Sequence, residues 1–160
     1  MSMTLTLSPH KTGAQGFGSA KQFIDIYFKY DAKTMTGYGL RIARVPSISD
    51  PALSSFAAKS CSFTVMEYKN GVAIPLEDSV ISTAFLPGCT IKLDVTGNTF
   101  TADVTTTSSQ DSASNIMPHE VHLSHVFENE VNSYSGIGFQ HTGTSGAGKS
   151  GNRVTIHSVS

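Results

Sequence analysis

The stretch Phe23-Ile24-Asp25-Ile26-Tyr27-Phe28-Lys29-Tyr30-Asp31 decides how this chain folds. Ile24, Ile26, Phe28 and Tyr30 alternate with Phe23, Asp25, Tyr27 and Lys29, a repeat of every second residue. That period belongs to an extended strand, whose successive side chains point to opposite faces. One face here is apolar and suited to a core. The other mixes aromatic rings with charge.

The same period extends outward in both directions. Tyr38, Leu40 and Ile42 alternate with Gly39, Arg41 and Ala43, and the glycines there mark a bend or a close backbone approach. Residues 62–68 continue the pattern into Lys69-Asn70-Gly71, a hairpin turn, and residues 72–76 return from it. Residues 90–95 and 99–105 alternate on either side of Thr96-Gly97-Asn98, a second hairpin. Segments 3–7, 120–127, 135–141 and 153–159 read as further strands, with loops expected at 46–59, 106–118 and 142–152. Only 50–58, with Asp50 as cap and Pro51 at the first turn, carries helix signals. Roughly ten short strands with regular turn signals predict an all-β sandwich or jelly roll.

Composition agrees and excludes several functions. Charged residues are only 14% of the 160, the formal net charge is −1, and Ser and Thr make up 39 residues. A dedicated nucleic-acid binder would carry a basic surplus. No apolar run is long enough to span a membrane. Met1-Ser-Met-Thr-Leu-Thr-Leu lacks the basic start and apolar core of a signal peptide.

Several motifs carry residues capable of chemistry. Gly143-Thr144-Ser145-Gly146-Ala147-Gly148-Lys149-Ser150 spells a phosphate-binding loop, but that loop works only between a buried strand and a helix. Only ten residues follow Ser150, and they read as turn then strand, so no nucleotide is expected to bind. His119, His122 and His125 lie on a predicted strand, which puts His119 and His125 on one face and His122 on the other. Three such rings do not converge on a metal. Glu67, Glu77-Asp78, Asp94, Asp103 and Glu128-Asn129-Glu130 are the carboxylates available for acid–base work, but the E-x-D-x-E of a glycosidase strand does not occur, and most of these read as exposed strand faces or turns. Cys61 and Cys89 leave two readings open: a disulfide in an oxidising compartment, or two buried thiols.

Residues 23–31, followed by Thr36-Gly37-Tyr38-Gly39-Leu40-Arg41-Ile42, resemble concanavalin A-like (laminin-G-like) jelly-roll modules of secreted or periplasmic carbohydrate-processing proteins from Bacteroidetes-type bacteria. Residues 11–18, Tyr68-Lys69-Asn70-Gly71, residues 89–98 and residues 136–143 match in the same order, so the resemblance covers nearly the whole chain. It implies a two-sheet antiparallel jelly-roll sandwich, one sheet convex and one concave. It also implies glycan binding or an accessory role beside a catalytic domain, a secreted or periplasmic location, and a structural calcium ion near the sheet rim. The Asp111 loop and Glu128-Asn129-Glu130 offer oxygens for such an ion. Such modules carry further strands ahead of residues 3–7, so the chain reads as one β-sandwich domain, residues 1–160, cut from a larger protein.

Sugar recognition calls for aromatic stacking platforms and planar polar groups, and with no Trp in the chain Tyr must serve. The candidates are Asp25, Tyr27, Tyr38, Arg41, Gln140 and His141, which line one groove if their three strands are neighbours. The structural alternative for Asp25 and Arg41 is a cross-strand ion pair. The expected function is therefore a non-catalytic carbohydrate-binding or accessory module, without a cofactor beyond calcium. A catalytic jelly-roll glycoside hydrolase or lyase, and a structural domain that packs against other domains of its parent protein, are the alternatives.

Overall fold

The computed structural model describes residues 1–10, 16–46, 60–110, 116–142 and 153–160. The described residues form eleven strands: β1 (Ser2–Pro9), β2 (Phe23–Asp31), β3 (Thr36–Arg44), β4 (Cys61–Lys69), β5 (Val72–Pro75), β6 (Val80–Ser82), β7 (Cys89–Thr96), β8 (Thr99–Gln110), β9 (Ile116–Val126), β10 (Gly136–His141) and β11 (Val154–Val159). They build two antiparallel sheets. The first runs β11-β1-β7-β8-β9; the second runs β10-β2-β3-β4-β5, with β6 also paired to β4.

Both predicted hairpins are present, and Asn70, Gly71 and Gly97 take the positive φ values of 52°, 83° and 59° that such turns require. The expected loop at 106–118 is largely strand, because β8 runs on to Gln110 and β9 starts at Ile116. The Thr/Ser-rich sequence there gave no apolar alternation to read. The helix expected at 50–58 and the phosphate-loop spelling at 143–150 lie outside the described residues. Among the described residues no helix is long and apolar enough to cross a membrane.

The sheets pack face to face. Leu5, Leu7, Ile91, Leu93, Phe100, Ala102 and Val104 from the first meet Ile24, Ile26, Phe28, Leu40, Ile42, Phe63 and Val65 from the second. Phe28 and Phe100 stack across the interior with ring centroids 6.1 Å apart. Burial of these side chains, at about 1.5–3 kcal/mol each, supplies the drive to fold. Cys61 and Cys89 are free thiols in this core, and burial pushes both up to about 12. A thiolate is therefore scarce at neutral pH. Aromatic disulfide reagents are expected to label neither cysteine in the native protein and both after denaturation. Rapid native labelling at pH 8 would contradict this burial.

The outer faces differ. That of the first sheet carries Thr4, Thr6, Thr90, Lys92, Asp94, Thr101, Asp103, Thr105, Glu120 and His122 by register, which is where much of the hydroxyl-rich composition goes. Asp94 accepts hydrogen bonds from the Ser2 and Thr96 hydroxyls, and Asp103 pairs with His122. The second sheet's outer face carries glycines, tyrosines and one ion pair.

Candidate functional site

The second sheet does bring the strands of the predicted groove together, because β10 and β3 flank β2. Gln140, Asp25, Arg41 and Thr64 form one register row across β10, β2, β3 and β4, all on the outer face. Asp25 is only 1% exposed. Arg41 neutralises it with a two-pronged pair, Nε to Oδ1 at 2.8 Å and Nη2 to Oδ2 at 2.9 Å. The Arg41 guanidinium lies 3.8 Å from the centre of the Phe23 ring, so it is held flat against that ring.

The next row is Gly138, Tyr27, Gly39 and Met66. Tyr27 donates its hydroxyl hydrogen to Gln140 Oε1 at 2.7 Å. Burial, reinforced by the Asp25 charge, pushes the Tyr27 hydroxyl up to about 12, so it stays protonated at neutral pH. No side chain rises beside Tyr27 at Gly138, and its ring is bounded there by backbone. On the other side Tyr68 lies over Gly39, where an added Cβ would come within 2.9 Å of the Tyr68 ring and within 2.5 Å of the Ile26 carbonyl oxygen.

Tyr30 stacks on Tyr27 with centroids 4.2 Å apart and planes 13° from parallel. Strict alternation put Tyr30 on the core face, and the structure overturns that expectation. Lys29 takes a positive φ of 50°, and the β2–β3 register shifts between Phe28 and Asp31, so β2 carries one extra residue as a bulge. The bulge reverses the parity of everything after it and delivers Tyr30 to the outer face. Two glycines make room: a Cβ on Gly37 or on Gly136 would collide with the backbone of Lys29 or Tyr30. Tyr68 completes the group, meeting Tyr27 edge-on at 4.9 Å and Tyr30 at 6.1 Å.

Tyr38 and His141 lie apart from this platform. Tyr38 is 4% exposed on the inner face, where its ring packs on Phe127 at 4.5 Å and its hydroxyl accepts from the Asn132 amide. His141 pairs in register with Ile24 rather than Asp25, stacks on Phe17 at 5.6 Å and bonds the Gly16 carbonyl through Nε2. Adjacent strand residues face opposite ways, so Gln140 and His141 cannot serve one surface. The residues that join Asp25, Tyr27, Arg41 and Gln140 are Tyr30 and Tyr68.

The Tyr68 hydroxyl is buried beside the Asp25 carboxylate, yet among the described residues no partner meets hydrogen-bond geometry. A buried hydroxyl without a bond costs about 1–3 kcal/mol. Tyr68→Phe is therefore expected to leave the melting temperature unchanged or raised. A loss of more than about 1 kcal/mol would show that the hydroxyl is satisfied in solution.

A concavity opens between the sheets beside Tyr38 and Glu67. It is a cleft of about 440 Å³ lined by residues that include Tyr38, Glu67, Leu76, His125, Phe127, Glu128 and Glu130. Glu67 of β4 and the neighbouring Glu128 and Glu130, far from it in sequence, line the same cleft. His125 is tied at its mouth by Nδ1 to Glu77 at 2.9 Å. Among the described residues no three His, Cys, Asp or Glu side chains converge as a metal set, and Asp111 lies outside them. His119 and His125 do share the inward face of β9, while His122 points outward between Asp103 and Glu120, which raise its pKa.

No protein-family model, curated protein or solved structure matches the chain. The site must therefore be read from its own geometry.

Proposed function

We propose that this chain is a non-catalytic carbohydrate-binding module, a concanavalin A-like jelly roll of a secreted or periplasmic glycan-processing protein. The observation that carries this reading is the Tyr27–Tyr30 stack, half-buried on the outer face of the second sheet beside Gln140 and Arg41. Rings fixed in this way offer an apolar surface to the C–H face of a pyranose at little entropic cost. Gln140 and Arg41 offer planar polar groups to adjacent hydroxyls. Tyr68 and the Asp25–Arg41 pair support the rings from below and from the side, so the platform is rigid before any ligand arrives. The other outer face of the sandwich, covered in threonine and small polar groups, offers no comparable ring pair among its described residues.

A glycan array, followed by a reducing-sugar assay on every hit, tests this reading. The expected result is retention of at least one polysaccharide class without release of reducing ends, and loss of retention in Tyr27→Ala/Tyr30→Ala. Hydrolysis of a retained glycan would replace the module by an enzyme, and Glu67, Glu128 and Glu130 would then be the carboxylates to mutate. Retention that survives the double substitution would place the site elsewhere.

A further inference from the structure

The polar groups that flank the Asp25 register position offer N–H donors, and the Tyr30 hydroxyl on the stack adds an O–H that can donate as well. Gln140 Oε1 already accepts from Tyr27, and among the described residues its Nε2 hydrogens have no acceptor, so they are the donors that this position offers a ligand. Arg41 commits Nε and Nη2 to Asp25, and among the described residues Nη1 has no acceptor. The carboxylate on this face of β10, β2, β3 and β4 is Asp25, buried and held at both oxygens by Arg41. Tyr27 has given its only hydrogen to Gln140. The surface therefore presents N–H donors on both sides of the Asp25 register position, next to an aromatic stack, and among the described residues of these four strands no free carboxylate.

A neutral sugar hydroxyl both donates and accepts, and gains most where a carboxylate or amide oxygen takes its hydrogen. An acid group only accepts, and its bonds to guanidinium and amide N–H are the stronger kind. We propose that the sugar held on the Tyr27–Tyr30 stack is anionic, a uronate or sulfated residue whose acid group lies between Arg41 Nη1 and Gln140 Nε2. This rests on the carbohydrate reading above and names its ligand class. A formal net charge of −1 for the whole chain makes general attraction of polyanions a poor rival explanation.

The test is calorimetric titration with three probes: an oligogalacturonate, a sulfated galactan oligosaccharide and a neutral glucan oligosaccharide. Each is run on the wild type, on Gln140→Glu and on Asp25→Leu/Arg41→Met. Gln140 is exposed, and a glutamate there still accepts from Tyr27, so the first variant keeps the fold while replacing a donor by a negative charge. The second variant removes the Arg41 donors without stranding Asp25. At least one anionic probe is expected to bind about tenfold or more tighter than the glucan, and to weaken by about tenfold or more in each variant. Whichever of the two acids binds identifies the source of the charge. Equal or tighter binding of the glucan would overturn the anionic assignment while leaving the module reading intact. Anionic binding untouched by both variants would overturn the assignment by placing the site elsewhere. Failure of all three probes, together with a blank glycan array, would overturn both.

Discussion

Gly37→Ala is expected to destabilise the protein by about 3 kcal/mol, the upper part of the range for overpacking a well-packed position. For a chain of this length that is a fall in melting temperature of roughly 10 °C. The cause is local. A Cβ at Gly37 would collide with the Lys29 carbonyl and lie 2.6 Å from the Tyr30 Cα, and neither neighbour is a side chain that can swing away. β3 is also held between β2 and β4, so it cannot retreat. Gly136 makes the same close approach from the other side of the bulge, against the Tyr30 carbonyl. Because β10 is an edge strand it can peel back, so Gly136→Ala is expected to cost less, about 1–2 kcal/mol. Both variants should also lose the Tyr27–Tyr30 stack, since flattening the bulge returns Tyr30 to the inner face. Chemical denaturation measures the first effect. A Gly37→Ala variant within about 0.5 kcal/mol of the wild type would mean that the bulge is not held as described.

Arg41→Ala is the second large effect. Asp25 is 1% exposed, and Arg41 supplies both of its hydrogen-bonded donors. Removing one partner of a buried pair typically costs about 3–5 kcal/mol, because an uncompensated charge is left behind. The Arg41 side chain is 27% exposed, so water can reach part of the vacated space, and about 3 kcal/mol is expected. Asp25→Leu/Arg41→Met should recover most of that loss, because it removes the stranded charge with the cation. Denaturation of the single and double variants measures this directly. If the double variant were as unstable as Arg41→Ala, the pair would contribute through packing and not through charge. Together the two predictions separate what holds the platform in shape from what it offers to a ligand.

Much of the fold was legible in the sequence because alternation is a local property. Residues 90–95 and 99–105 each alternate, Gly97 suits the turn between them, and the hairpin forms there. β6 escapes such a reading, since three residues are too few to show a period; β8 outruns its apolar alternation because its end, residues 106–110, is polar, and β9 begins at Ile116, ahead of Pro118, where the expected loop ended. The candidate site was legible in part. Asp25, Tyr27, Arg41 and Gln140 were found because each occupies the non-core phase of its strand. Tyr38 and His141 occupy the opposite phase of their strands, so the same alternation sets them apart from that face.

What the sequence by itself determined is which faces of which strands seek a core, where the hairpins turn, and that the remaining polarity rests on hydroxyl groups. Those follow from the steric geometry of an extended backbone and the cost of leaving apolar side chains in water. Only the tertiary structure decided that Lys29 is the extra residue of a bulge. That depends on the register that β3 and β10 impose on β2 from either side, through Gly37 and Gly136. No pattern within residues 23–31 encodes it, because a bulge is a mismatch between strands and not a property of one. With it came the reversal of Tyr30, the stack on Tyr27 and the place of Tyr68 against both rings. The platform proposed to meet a sugar is therefore built by neighbours far apart in the chain.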